Sequence, residues 1–308
     1  MGLNEEFYGG SSNVRSTFKF ITYFGEPIVF VILIAVIFIT YDKNFAKRLT
    51  LSLLFTYYLS DTIKEIFQDT RPDTNIDTSE EYDLIESSYG FPSGHALNSV
   101  GFWGYFAYEW KDKPTSLRIQ FLPTIFSFII LLVAVSRVVI GTHDLQDIIG
   151  GLLIGIGLLL LYIYLEPTFA AKFSELKFSI KIILAVLIPL ILFIIPTLLF
   201  PAAGAELVEP EPPLLSDNGA FGLIGGTLFG LSIGYVLENE YIKYDPRSLN
   251  TKQKIINVIV GLIILLIVFF PLEYLLEIDS VFYRFARYAI LAFVLTFLLP
   301  LLFKKINK

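Results

Sequence analysis

Long apolar runs broken by short polar stretches dominate this chain, and they predict helices long enough to cross a bilayer rather than the alternating pattern of half-buried strands. Such runs fall at about 27–41, 49–67, 94–109, 119–140, 144–165, 178–200, 219–237, 255–276 and 285–303, which gives about nine expected transmembrane helices. The first is short for a span and so is expected to begin upstream, near Tyr23. Ahead of it, residues 1–24 hold the mixed stretch TFKFITYF, whose aromatics and Lys19 fit a helix lying in the membrane interface. The sixth run contains Pro189 and Pro196, so a bend is expected there. In the seventh, Gly222, Gly226, Gly230 and Gly234 repeat every four residues and line one face, a pattern that lets another helix approach closely.

Composition strengthens the membrane reading. Of 308 residues, 55% are hydrophobic and only 17% charged, whereas a soluble domain is about a quarter charged. The net charge of −6 comes without any basic stripe, which argues against nucleic acid as a partner. Cysteine is absent, which removes disulfides, thiolate metal sites and cysteine nucleophiles. The opening MGLNEEFYGGSSNVR has no basic segment followed by an apolar core, so a cleaved signal peptide is not expected.

Charge then orients the helices. Lysine and arginine concentrate at 43–48, 111–118, 166–177, 238–254 and 304–308, and such segments face the cytoplasm. With nine spans this places the N-terminus outside and the C-terminus inside a cell membrane. It also brings three separated stretches to the outer side: KEIFQDTRP at 64–72, FPSGH at 91–95 and SRVVIGTHDLQD at 136–147. These hold both histidines of the chain.

In the third stretch, His143 and Asp147 are four residues apart at the start of a helix and so share a face. A carboxylate there can accept the imidazole Nδ1–H and leave Nε2 as nucleophile or base; the same pair also fits a plain capped helix start. Arg137, Arg71 and Lys64 bring cations to the same depth, suited to phosphate oxygens. Ser93 and Gly94 form a turn entering a helix, where free N–H groups favour an anion, and His95 at that mouth can give a proton to a leaving oxygen. Taken singly, Lys64 could only pair with Asp61, Arg71 with Asp69 and Asp73, and Ser93 could only cap a helix. One bound phosphoryl group accounts for all of them together. The acidic stretch from Asp73 to Glu86 fits a solvated lid better than a cation site, because its carboxylates lack a ligand spacing.

Lys64, Arg71-Pro72, Pro92-Ser93-Gly94-His95 and Ser136-Arg137 with His143 and Asp147 resemble, in order and spacing, the three-part signature of the type 2 phosphatidic acid phosphatase superfamily, which includes vanadium haloperoxidase relatives. The resemblance covers roughly residues 12–165. It implies an all-α, polytopic membrane bundle with an acid-phosphatase-like catalytic core at 25–165. It implies His143 as the nucleophile that carries a phosphohistidine, Asp147 as its orienting group and His95 as general acid. Lys64, Arg71, Ser93, Gly94 and Arg137 would hold the phosphate of a lipid phosphate or polyprenyl diphosphate, with no metal and no other cofactor. A transferase using the same site and a non-catalytic lipid binder are the competing expectations. Residues 178–303 carry no signature position; they are expected to form a transmembrane extension that shapes lipid entry, binds a partner or makes a homodimer.

Overall fold

The computed structural model describes residues 12–71, 88–111, 121–201, 220–275 and 280–307. The acidic stretch 73–86 and Pro72 lie outside them, as do most of the loops 111–118 and 201–218. Among the described residues all regular structure is helical.

The chain divides into two compact units, residues 1–31 with 55–165, and residues 32–54 with 166–308. The first contains every candidate site residue. It opens with α1 (Ser12–Thr22), and after a short turn at Tyr23–Gly25 the chain continues into α2 (Pro27–Thr40). The axis bends by 48° at this break. A proline right after it suits a helix start, because its missing N–H falls where no intrahelical acceptor exists. Next comes α3 (Lys43–Phe67), followed by the segment 94–110, here α4, whose ends Gly94–Ser99 and Tyr105–Trp110 run on through a wider π-type turn at Val100–Gly104. The unit closes with α5 (Phe121–Ile140) and α6, which runs from Leu145 to Glu175.

The N-terminal segment is not merely an interfacial appendage. Helix α1 and the turn after it pack on α5 and α4: the Trp103 indole N–H donates to the Phe24 carbonyl at 2.9 Å, and Phe30 stacks on Phe102 with ring centroids 4.3 Å apart. Trp103 also stacks on Phe126 of α5 at 5.6 Å.

The second unit contains α7 (Phe178–Leu199), α8 (Phe221–Leu237), α9 (Thr251–Leu275) and α10 (Val281–Phe293), the last continuing to Ile306. The glycine face of α8 meets α10. A Cβ at Gly226 would come within 2.1 Å of the Phe285 carbonyl oxygen, and one at Gly230 within 2.0 Å of that of Ala289. The small-residue stripe is therefore filled from within the chain, and a dimer through these spans would have to use other faces. Elsewhere in this unit Glu238, fully buried, accepts from Lys43 Nζ at 2.7 Å and from the Tyr244 N–H at 2.6 Å.

Among the described residues, six helices are long and apolar enough to cross a membrane, and the bent pair Ser16–Gly25 with Pro27–Thr40 makes up to seven. Apolar side chains such as Ile259, Ile263 and Phe270 of α9 face outward, as lipid contact requires. The chain is a multi-pass membrane protein. Where they fall on described residues, all nine expected segments are helical, but 49–67 and 94–109 do not qualify as spans by length and composition, and 27–41 does so only as part of the bent pair. Helix α3 carries Lys43, Lys47, Arg48, Asp61, Lys64 and Glu65, and α4 is short.

Candidate active site

The site is built where α5 ends and α6 begins. Helix α5 stops at Ile140 with Gly141 at φ 89°, a left-handed conformation that costs glycine little and side-chain-bearing residues much. The Gly141 N–H returns to the Val138 carbonyl at 3.0 Å and the Thr142 N–H to that of Arg137 at 3.1 Å, the paired bonds of a Schellman ending. This turn delivers His143 to the interior, 1% exposed.

Helix α6 then starts with a reciprocal cap. The Asp147 N–H donates to Asp144 Oδ1 at 2.9 Å, and the Asp144 N–H to Asp147 Oδ2 at 3.3 Å. The same Oδ2 accepts from His143 Nδ1 at 2.9 Å, so the capped start and the His–Asp pair are one arrangement. That bond fixes the tautomer with hydrogen on Nδ1 and the lone pair on Nε2. Arg71 Nη1 donates to this Nε2 at 3.1 Å and to the Thr142 carbonyl at 2.9 Å.

Arg71 and Lys64 share an anchor. Arg71 Nε donates to the Ser88 carbonyl at 2.7 Å and Nη2 to the Ser88 hydroxyl at 3.1 Å. Lys64, at the end of α3 and only 4% exposed, donates to the same hydroxyl at 3.2 Å and to the Tyr89 carbonyl. The second signature stretch docks on the third through its backbone: the Ser93 N–H donates to the Asp147 carbonyl at 3.1 Å. Gly151 permits this approach, since a Cβ there would lie 2.8 Å from the Ser93 carbonyl oxygen. A Cβ on Gly94 would stand 3.8 Å from each of Lys64 Cε, Asn98 Nδ2 and Ser60 Oγ.

Arg137 is completely buried, and its Nη1 donates to the Thr22 hydroxyl at 2.9 Å. His95, the first side chain of α4 after Gly94, holds Glu26 Oε1 with its Nε2 at 3.0 Å. All eight predicted side chains and backbone positions thus gather in one unit. The hydroxyl of Ser93 is buried without a hydrogen-bond partner, and so are Ser60 Oγ and Asn98 Oδ1 beside Lys64. Uncompensated buried groups of this kind cost about 1–3 kcal/mol each. Among the described residues no trio of His, Asp or Glu is grouped as metal ligands would be.

Burial drives the His143 pKa well below the ordinary imidazole value, and the positive charges of Arg71, Arg137, Lys64 and His95 push the same way. The ring is therefore neutral at pH 7.

Glu26, Thr22 and Ser88 escaped the sequence reading. Each partners a residue far away in the chain, and nothing in local spacing marks them. The one available signal was Glu26 itself, a carboxylate set between apolar helices, where charge is expensive without a use.

Comparison with known proteins places this site in a family. Residues 45–171 match the family model described as PAP2 superfamily, and residues 223–308 match that of the PAP2 superfamily phosphatase, transmembrane extension. The chain belongs to the PAP2 superfamily. Among particular relatives, it is 27% identical over 212 residues to lipid phosphate phosphatase delta of Arabidopsis thaliana, covering 67% of this chain and 48% of that one. It is 32% identical over 122 residues to phosphatidylglycerophosphatase B of Bacillus subtilis (strain 168), covering 39% of this chain and 55% of that one. The chain spans about half the length of the curated relatives it matches. A solved structure, that of the first transmembrane PAP2 type phosphatidylglycerolphosphate phosphatase from Bacillus subtilis, is similar with a TM-score of 0.46 and 23% identity, covering 54% of this chain and 83% of that one.

Proposed function

We propose that the protein is a membrane phosphatase that removes phosphate from a lipid phosphate or polyprenyl diphosphate through a phosphohistidine on His143. The observation that carries this reading is the buried His143 ring, its Nδ1 held by Asp147 Oδ2 at 2.9 Å and its Nε2 facing Arg71 Nη1 at 3.1 Å. The names of the two curated relatives point to the same class of substrate.

An entering phosphoryl group draws the Arg71 guanidinium to its own oxygens, together with Lys64 and Arg137, and this uncovers Nε2. Ser93 supplies its unpartnered hydroxyl, and the N–H groups at Gly94 and the start of α4 add backbone donors. Nε2 attacks phosphorus as the P–O bond to the lipid breaks, and His95 protonates the departing alkoxide oxygen. Asp147 stabilises the positive charge that develops on the His143 ring. Water then attacks the phosphohistidine, giving its proton back to His95 and releasing inorganic phosphate. The three cations neutralise the developing charge, so this route needs no metal.

The distribution of lysine and arginine supports an outer location. Lys43, Lys47 and Arg48 sit at the far end of α3 from Lys64, and by the positive-inside rule this supports a site on the extracytoplasmic side. A site at the membrane surface admits a headgroup while the tail stays in hydrocarbon.

The test is phosphate release from phosphatidate, phosphatidylglycerol phosphate and undecaprenyl diphosphate in detergent, comparing the wild type with His143→Ala. Expected is release from at least one lipid and its loss, by at least about a thousandfold, in the variant. Equal rates in the two proteins sink the proposal.

A further inference from the structure

Resting on this reading, the geometry points to Glu26 as a positioning residue that holds the His95 ring in place for delivery of a proton to the leaving oxygen. The carboxylate is brought there by the break between α1 and α2. The backbone passes directly over the imidazole: a Cβ on Gly25 would lie 3.1 Å from His95 Cδ2. The next residue then places Oε1 3.0 Å from Nε2. Both side chains are partly shielded, His95 15% and Glu26 28% exposed, so the contact is stronger than a fully solvated pair.

Two histidines in one site need opposite treatment if one is to attack and the other to give up a proton. His143 is buried among cations with its Nε2 lone pair available, whereas His95 faces a carboxylate. In the step itself the proton passes from His95 to the bridging oxygen as the P–O bond breaks, and the ring is left neutral, still donating to Glu26 from Nε2. The attacking water later returns a proton to the same ring, so the charge on Glu26 is unchanged over a turnover. Glu26 touches neither substrate nor phosphorus in this scheme. Arg137, whose guanidinium also acts on Glu26, is the other charge facing it, and Thr22 ties that guanidinium to the same bend.

The experiment exploits the leaving group. An alkoxide needs a proton in the transition state; a nitrophenolate scarcely does. Rates of Glu26→Gln, Glu26→Asp, His95→Ala and the double variant Glu26→Gln/His95→Ala are measured in detergent on dioctanoyl phosphatidate and on p-nitrophenyl phosphate. Expected for Glu26→Gln is a loss of roughly tenfold or more in the single-turnover rate on phosphatidate, with KM little changed and the first-turnover release of nitrophenolate nearly unaffected, because the later attack of water on the phosphohistidine, which also uses His95, does not enter that rate. His95→Ala should show the same selectivity with a larger loss, the double variant should fall no lower than His95→Ala, and Glu26→Asp should recover part of the rate. Equal losses on both substrates, a rise in KM alone, or losses in the double variant that multiply in full would each overturn the role and leave Glu26 as a structural fastener. If His143→Ala keeps full activity on phosphatidate, the proposed reaction has failed, and that outcome removes this inference with it.

Discussion

The Oδ2 atom of Asp147 binds His143 Nδ1 at 2.9 Å while also receiving the Asp144 N–H at 3.3 Å, so one carboxylate oxygen both starts a helix and sets an imidazole tautomer. Its companion Oδ1 is buried with no hydrogen-bond partner.

Asp147→Asn separates charge from shape. The amide oxygen can still cap α6, so the fold should survive, but the negative charge that balances a cationic His143 ring is gone. We expect kcat to fall by roughly 100- to 10,000-fold with KM changed far less. Steady-state kinetics on the substrate identified by phosphate release checks this. A kcat within a few fold of wild type would confine Asp147 to its capping role.

Acid should unsettle the protein through His143. Its folded pKa is lowered by burial and by the surrounding cations, while the unfolded ring titrates near 6.5. Below that value the unfolded chain takes up a proton the folded one refuses, so this contribution to stability is intact above about pH 6.5 and is lost as pH falls. The thermal midpoint in detergent should therefore decline more steeply from pH 7 to pH 5 in the wild type than in His143→Asn. Parallel curves would show that the group does not titrate as its surroundings require.

Two glycines make a contrasting pair. A Cβ at Gly230 would meet the Ala289 carbonyl oxygen at 2.0 Å, whereas one at Gly157 on α6 meets nothing within 4 Å. Gly230→Ala should force α8 and α10 apart and cost about 1–3 kcal/mol. Gly157→Ala should be neutral or gain up to about 1 kcal/mol from helix propensity. Thermal denaturation in one detergent compares them; equal midpoints would mean that the α8 to α10 contact does not limit stability.

The signature side chains were legible because their chemistry is expensive in an apolar setting. Lys64 and Arg137 stand out in apolar runs, and His143 in the short turn between two of them. Glu26 and Thr22 carry no such mark. Their partners, His95 and Arg137, lie on α4 and α5, and only packing brings the N-terminal bend against them. The helices themselves followed from apolar runs, but the number able to span did not. The run 49–67 ends in charge, its helix begins at Lys43 and its last turns carry Asp61, Lys64 and Glu65, where burial depends on neighbours rather than on the run.

The guanidinium resting on Nε2 of His143 has a chemical consequence in the proposed reaction. A neutral electrophile that wanders in from the lipid finds the reactive lone pair already engaged, and has nothing to offer Arg71 in exchange. Only a visitor with negative oxygens can lure the arginine aside. Reactivity is thus switched on by the cargo that will consume it, and the nucleophile stays quiet toward bystanders.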